Sequence, residues 1–131
     1  MILVDTSVWI DFFGGRELTE VDELVRLIGA GEEIVFTGVI LQELAQGCAT
    51  TRELNLIENH FRPFGEIFVQ RSTYLLAAKL FRDCRKKGFT IRSSIDCLIA
   101  ACAIESECSM LHNYRDYGFI AKVSALRIHH V

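Results

Sequence analysis

Short apolar runs alternate along this chain with longer stretches in which apolar residues recur every three or four positions. Short runs are typical of buried strands, and the longer repeats are typical of helices with one buried face. Ser or Thr opens most of the repeats and Gly follows several of them, as at helix ends. The predicted strands are residues 2–4, 34–36, 67–69, 109–112 and 126–128, and the predicted helices are 6–13, 19–28, 37–47, 52–61, 72–87 and 93–102.

Strands that alternate with helices predict an α/β fold. In such folds a mainly parallel central sheet is flanked by helices on both faces. The 131 residues suffice for one domain with its own core and are too few for two. We therefore expect a single domain over residues 1–131, without a linker, an internal repeat or a low-complexity segment.

Four acidic residues occupy positions where the predicted strands and helices meet. Asp5 directly follows the first apolar run, Asp116 comes after the fourth, and Asp96 falls in the first turn of a helix. Glu43 lies one turn into the helix that follows the second strand. Because parallel strands bring their carboxyl ends to one edge of a sheet, these four side chains are expected to meet there.

A gathering of carboxylates needs protons or a cation. Two carboxylates roughly 4 Å apart repel by about 4 kcal/mol at an effective dielectric constant of 20, whereas a small domain is stable by only about 5–15 kcal/mol. Oxygen ligands select Mg²⁺ or Mn²⁺ over softer metals. Such ions activate water and stabilise charge on phosphate, so the main hypothesis is metal-dependent cleavage of a phosphodiester.

Each acid also has a purely structural interpretation. Asp5 is a good N-cap residue, and Asp96 would be stabilised by the dipole of its own helix. Glu43 would be a solvated helix residue, and Asp116 an ordinary loop residue. These alternatives stay open for each acid taken alone, and the shared position of all four favours a site.

The charge balance argues against a generally basic, nucleic-acid-binding surface, because the net charge is −3. One local basic cluster nevertheless precedes Asp96, with only Asp83 opposing it, and it would attract a phosphate backbone. The alternative is a solvated helix end, where basic residues are favoured anyway. The predicted RNA-binding residues, called the basic cluster below, are Arg82, Arg85, Lys86, Lys87 and Arg92.

The cysteines and the hydropathy favour a cytoplasmic protein. Five cysteines, an odd number without a C-x-x-C pair, predict reduced thiols, most of them small core residues. No stretch approaches the roughly 20 consecutive apolar residues of a membrane span. The first residues also lack a secretory pattern, so we expect no membrane partner.

Four segments resemble the motifs of PIN-domain ribonucleases, and within them the VapC-type toxins of type II toxin–antitoxin systems. No motif alone is decisive, but four in the right order in a chain of this length are fairly specific. The resemblance extends to about Val123. The segments are VDTSVWID at 4–11, TGVILQEL at 37–44, GFT at 88–90 with SIDCLIAA at 94–101, and HNYRDY at 112–117.

The resemblance implies a PIN fold and an endoribonuclease that uses Mg²⁺ or Mn²⁺. Hydrolysis by a water that the metal activates would leave 5′-phosphate and 3′-hydroxyl ends. Thr6 would lie beside the metal by its hydroxyl, and Asn113 would orient the loop of the fourth acid. The implied catalytic residues, also metal ligands directly or through water, are Asp5, Glu43, Asp96 and Asp116.

The resemblance also implies partners and shows one departure. Family members are usually homodimers, held inactive by a small antitoxin that inserts a segment near the acids. Many relatives have Asp where this chain has Tyr114, which reduces the negative charge near the fourth acid. Many also have Phe where this chain has Tyr117.

Other functions stay open at this point. The four histidines are scattered, and Ser7 lacks the G-x-S-x-G surroundings of an esterase nucleophile. Asp5 as a phosphatase nucleophile is conceivable, although such enzymes tend to have a second Asp where this chain has Ser7. The further alternatives are a non-toxin PIN nuclease of RNA processing and a catalytically silent PIN-fold binding module. In the silent module, Trp9, Phe12 and Phe13 would form a partner surface.

Overall fold

The structure, a computed structural model, describes residues 1–131 and contains one five-stranded sheet with seven helices. The strands are β1 (Ile2–Val4), β2 (Ile34–Thr37), β3 (Gly65–Ile67), β4 (Ser109–Leu111) and β5 (Arg127–Ile128). The helices are α1 (Thr6–Phe13), α2 (Thr19–Gly29), α3 (Gly38–Gln46), α4 (Thr51–Phe61), α5 (Arg71–Lys86), α6 (Ser94–Glu105) and α7 (Asp116–Lys122).

All neighbouring strands are parallel, in the order β3-β2-β1-β4-β5. The first half of the chain therefore builds the sheet outward from β1 in one direction, and the second half builds it in the other. The strand order reverses between β1 and β4, and ligands of α/β proteins bind at such switch points. This topology confirms the predicted fold class and places Asp5 beside the loop that leads to Asp116.

Most predicted elements are confirmed to within two residues, and three details are wrong. β3 begins two residues earlier than its apolar run, because Gly65 and Glu66 pair with β2 at the edge of the sheet. Helix α2 is capped by Leu18 without a side-chain hydrogen bond, so Thr19 is its first residue rather than its cap. Helix α7 was not predicted, since its seven residues are too few for a clear repeat and include Gly118.

The core forms between the sheet and the helices, and helix α6 is buried on more than one face. Six of the twelve residues of α6 are buried, so this helix lies inside the molecule rather than on its surface. All five cysteines are free thiols and four of them are buried, which confirms their interpretation as core residues. No helix has both the length and the apolar character needed to cross a membrane.

Trp9 belongs to this core, and the idea that it forms part of a partner surface is wrong. Its side chain is completely buried. Its ring packs against those of Phe12, Phe13 and Phe61 at centroid distances of 5.6, 5.9 and 4.8 Å. Phe12 and Phe13 are only partly buried, but they face Trp9 and anchor α1 to the domain.

Candidate active site

Asp5 is held in one orientation by hydrogen bonds to both of its carboxylate oxygens. It follows β1, caps α1 and is 4% exposed. The backbone N–H and the hydroxyl of Ser7 donate to Oδ2 at 3.0 and 2.7 Å. The hydroxyl of Tyr117 donates to Oδ1 at 2.6 Å. Asp5 is therefore an N-cap residue whose two carboxylate oxygens both accept hydrogen bonds.

Asp96 lies in the first turn of α6 and carries the clearest electrostatic perturbation of the acids. Burial is the largest cause that raises its pKa from 3.8 to about 7, followed by the charges of Asp5, Asp116 and Glu43. Its Oδ2 atom is buried and has no hydrogen-bond partner. The charges of the other three acids thus act on Asp96.

Asp116 begins α7 and is completely buried, so its interpretation as an ordinary loop residue is wrong. The backbone N–H of Arg92 donates to its Oδ2 at 3.1 Å. Its Oδ1 has no hydrogen-bond partner, and the Nε of Arg115 lies 4.0 Å away. A completely buried carboxylate oxygen without a donor is costly unless a cation or a proton reaches it.

Glu43 enters the site from α3 and is tied to the first motif. The hydroxyl of Thr6 donates to its Oε1 at 2.7 Å. The glutamate is only partly exposed, so it is not the solvated helix residue of the alternative interpretation. Thr6 therefore contacts an acid of the cluster, whereas a role beside a metal stays a prediction.

Tyr117 supplies a hydroxyl at the base of the acid cluster. Besides its bond to Asp5, the oxygen lies 3.5 Å from Oδ1 of Asp96. Burial, then the charges of Asp5 and Asp96, raise the pKa of this phenol well above its usual value. Tyr117 therefore stays protonated and donates its proton to Asp5.

Asn113 connects the loop after β4 to helix α1. Its side-chain amide donates to Oδ2 of the buried Asp11 at 3.0 Å, and its backbone N–H donates to the hydroxyl of Ser7 at 3.1 Å. Arg16 donates to the other oxygen of Asp11 at 3.3 Å. The loop that carries Asp116 is thereby fixed to the helix that begins beside Asp5.

The donor set fits a hard divalent cation, although the side chains do not form a finished coordination sphere. No three His, Cys, Asp or Glu side chains stand in an arrangement ready to hold a metal ion. The fit rests on two buried oxygens without partners, Oδ2 of Asp96 and Oδ1 of Asp116. Such oxygen donors match Mg²⁺ or Mn²⁺, and carboxylates would have to reorient to bind it.

The basic cluster lies at the end of α5 and in the loop before α6. All five side chains are exposed, and none of them forms a salt bridge with an acid; Asp83 pairs with Lys79 instead. The guanidinium of Arg92 lies 5.9 Å from the ring centroid of Tyr114. Because the Arg92 backbone holds Asp116, one end of this cluster adjoins the acids.

The histidines do not come together to form an alternative catalytic site. His112 lies next to Tyr117, but burial lowers its pKa, and its Nδ1 accepts the backbone N–H of Tyr114 at 3.1 Å. His129 bonds to Glu23 on α2, and His60 packs on Phe12 and Phe13. The hydroxyl of Ser7 is engaged with Asp5, so it is not presented as a nucleophile.

Comparison with known proteins identifies the family. The PIN domain family matches residues 2–123 of the chain. The chain belongs to the PIN-domain family. Within it, the chain is 30% identical over 129 residues to a VapC ribonuclease of Mycobacterium bovis and to ribonuclease VapC11 of Mycobacterium tuberculosis. Each alignment covers 97% of this chain and 96% of the relative, which places this PIN domain among the VapC-type members.

Solved structures of PIN proteins have the same fold. VapBC-1 of nontypeable Haemophilus influenzae superposes with a TM-score of 0.76 at 20% identity and covers 98% of this chain and 97% of its own. VapBC2 of Rickettsia felis, bound to promoter DNA, gives 0.76 at 15% identity and 98% coverage of both chains. VapC20 of Mycobacterium tuberculosis, a toxin that cleaves the sarcin–ricin loop, gives 0.66 at 16% identity, with 97% and 99% covered.

Three contributors to this PIN-domain site were missed in the sequence. Ser7 lies two residues after Asp5, the spacing at which a capping Asp accepts a backbone N–H, and this pattern could have revealed it. Asp11 lies within the first motif and is buried, but only its contact with Asn113 explains why. Tyr117 was noted as a departure from the family, and the sequence did not indicate where its hydroxyl lies.

Proposed function

We propose that this PIN-domain protein is a Mg²⁺- or Mn²⁺-dependent endoribonuclease and the toxin of a toxin–antitoxin pair. The observation that carries the proposal is the meeting of Asp5, Asp96 and Asp116 at the switch point of the sheet, with two buried carboxylate oxygens unsatisfied. The similarity to VapC ribonucleases over nearly the whole chain supports the same reaction class.

The acids of the cluster divide the work of binding and orientation. Asp5, fixed by Ser7 and Tyr117, presents a carboxylate that does not have to be ordered during the reaction. Asp96 and Asp116 offer the unpartnered oxygens, and Glu43 is positioned by Thr6. A bound divalent ion would lower the pKa of a water molecule and stabilise charge that develops on the phosphate.

The expected reaction is hydrolysis by in-line attack of water on the scissile phosphorus. The hydroxyl of Ser7 donates to Asp5, and its surroundings lack the pattern of an esterase nucleophile. The ribose 2′-hydroxyl is not needed as a nucleophile either. The products would therefore carry 5′-phosphate and 3′-hydroxyl ends.

The basic cluster would guide the RNA toward these acids. Its five unpaired cations lie on an otherwise acidic molecule, and Arg92 adjoins Asp116. Exposed cations attract a phosphate backbone at long range and lose this attraction as salt rises. We place the RNA backbone along the end of α5 for this reason.

We further propose a cognate small antitoxin and a homodimer as the partners of this chain. Two structural relatives are VapBC complexes, in which a VapC chain is held with VapB. A homodimer follows from the family resemblance. Both assemblies can be measured by light scattering of the chain alone and after coexpression with a candidate antitoxin.

The test is cleavage of total RNA by purified wild type, Asp5→Asn and Asp96→Asn, each with Mg²⁺ and with EDTA. Loss of a ligand should exceed the 10–100-fold losses typical of outer partners, so both variants should fall at least about 100-fold while their circular dichroism is unchanged. Asp22→Asn, an exposed acid on α2, is the matched control and should keep full activity.

Two results would separate the proposal from its alternatives. Full cleavage by either variant, or full cleavage in EDTA, would count against the metal-dependent nuclease. A silent binding module would show no cleavage and would bind RNA or a partner equally well after Asp5→Asn. Mapping of the product ends should show 5′-phosphates, and cyclic phosphates would contradict the proposed hydrolysis.

A further inference from the structure

Tyr117 is the only tyrosine whose hydroxyl lies inside the acid cluster. The residue is completely buried on α7. Its oxygen donates to Oδ1 of Asp5 at 2.6 Å and lies 3.5 Å from Oδ1 of Asp96. The other tyrosines, Tyr74 and Tyr114, make no hydrogen bond to an acid of the cluster.

The hydrogen bonds of Asp5 leave this carboxylate with little freedom. A carboxylate has about four sites at which it can accept a hydrogen bond or bind a cation. The N–H and hydroxyl of Ser7 and the hydroxyl of Tyr117 take three of them. The rotation of the side chain is therefore fixed, and about one site remains.

The contact with Tyr117 also links two acids that would otherwise only repel. Its oxygen is within reach of one carboxylate from the end of β1 and another from the start of α6. A neutral hydroxyl that donates its one proton to Asp5 therefore lies between the two acids. A site whose ligands are already spaced and oriented loses less conformational entropy on binding an ion.

We propose that Tyr117 is a positioning residue that orients Asp5 for a divalent cation and sets the affinity of the site for that ion. The inference rests on the proposed function, because it assumes that Asp5 is a ligand. Outer partners that hydrogen-bond to ligating carboxylates typically contribute 10–100-fold to metal affinity. Loss of the single hydroxyl that distinguishes Tyr117 from Phe is therefore expected to weaken metal binding by the same 10–100-fold factor.

The substitution Tyr117→Phe isolates the hydroxyl. The ring, which packs against His112 at a centroid distance of 5.1 Å, keeps its shape and volume, so the core stays filled. Tyr74→Phe removes the same group from a side chain that is 60% exposed on α5. It is therefore a matched control for the chemical change.

The experiment is a calorimetric titration of EDTA-treated, dialysed protein with MnCl₂. We expect Tyr117→Phe to bind Mn²⁺ 10–100-fold more weakly than wild type, and Tyr74→Phe to bind as wild type does. RNA cleavage by Tyr117→Phe should need a higher Mn²⁺ concentration than wild type to reach half of its own maximal rate, because the positioning of a ligand has changed. A merely structural role would lower the melting temperature and leave the Mn²⁺ affinity unchanged.

A second measurement does not depend on the folding of Tyr117→Phe. Binding of Mn²⁺ to Asp5 should perturb the near-ultraviolet absorption of the tyrosine that donates to it. The difference spectrum should persist in Tyr74→Phe and Tyr114→Phe, which assigns it to Tyr117 even if Tyr117→Phe folds poorly. Wild type that binds Mn²⁺ without a tyrosine difference spectrum would overturn the inference.

The outcomes separate this inference from the proposed function. Unchanged or tighter Mn²⁺ binding by Tyr117→Phe, beside normal binding and cleavage by wild type, overturns the role of Tyr117 and leaves the nuclease proposal intact. Wild type that binds no Mn²⁺ and cleaves no RNA overturns both. Weaker binding confined to Tyr117→Phe supports both.

Discussion

At the scale of residues, the site is defined by carboxylates that are buried before any cation is bound. Asp116 and Asp5 are almost without exposure, and Asp96 is half-buried. Hydrogen bonds satisfy Asp5 but leave one oxygen on each of the other two without a donor. The protein thus keeps these oxygens in an unfavourable environment that a divalent ion or a proton would relieve.

Asp96 should make the metal-free protein less stable as the pH rises. Its pKa in the folded protein is about 7, against an ordinary value of 3.8, so the folded state holds this proton more tightly than the unfolded state. The stabilisation is complete below about pH 4 and is lost as the pH rises through about 7. Urea unfolding in EDTA at a series of pH values measures this loss.

The comparison with Asp96→Asn isolates the contribution of this one carboxyl. Because other groups also titrate, the quantity to follow is the difference in unfolding free energy between the variant and wild type. That difference should shift in favour of the variant between pH 4 and 7. A difference that stays constant over this range would mean that Asp96 has an ordinary pKa.

The sequence predicted where these acids lie and could not predict how they are held. Asp5 and Asp116 come after apolar runs, and Asp96 falls in the first turn of a helix. The bonds of Asp5 to Tyr117 and of Asn113 to Asp11 join residues 112 and 102 positions apart. Such contacts depend on side-chain packing across the sheet, which no local pattern encodes.

At the scale of elements, short loops at one edge of the sheet bring distant acids together. β1 leads into α1 through Asp5, and the loop after β4 leads into α7 at Asp116. The bond between Asn113 and Asp11 fixes this loop to α1. Helix α6, which packs against α5, contributes Asp96 from its first turn. The charges of Asp5 and Asp116 act on Asp96, so this turn lies near both loops.

The end of α5 should govern the salt dependence of RNA binding. Replacing Arg85, Lys86 and Lys87 by Gln should weaken binding at low salt, because each neutralised phosphate contributes about 0.7 to the salt slope for single strands. The slope of log K against log salt should therefore fall by up to about 2. Fluorescence anisotropy with labelled RNA at several salt concentrations measures it.

A control variant with the same change in net charge tests whether the effect is specific to the basic cluster. The triple replacement of Arg52, Arg62 and Arg71 by Gln removes three exposed cations, one on α4, one directly after it and one at the start of α5. Its salt slope should stay near that of wild type. Equal slopes for all three proteins would contradict guidance of RNA by the basic cluster.

Element boundaries were predictable where composition and burial agree. β1 and α1 have the predicted bounds because their apolar pattern matches their burial. β3 was misplaced because Phe68, part of its apolar run, is 70% exposed while the polar Glu66 pairs with β2. Helix α7 was missed because it has only seven residues, Gly118 among them, and because its buried residues include the charged Asp116.

At the scale of the whole molecule, the switch in strand order determines where function can lie. Alternating strands and helices predicted a parallel sheet, but the order β3-β2-β1-β4-β5 follows from packing and was not readable from the pattern. This order makes β1 the central strand and separates the loops after β1 and β4, which leaves a crevice between them. The acids line that crevice, where Asp5 and Asp116 are buried and Glu43 and Asp96 are partly exposed.

The most direct test of this account is an anomalous difference map from crystals grown with excess Mn²⁺. We predict a manganese peak in contact with carboxylate oxygens of Asp5, Asp96 and Asp116, and no such peak in crystals of Asp5→Asn. A map from the wild-type protein in which these carboxylates point away from one another, with no manganese between them, would contradict the account.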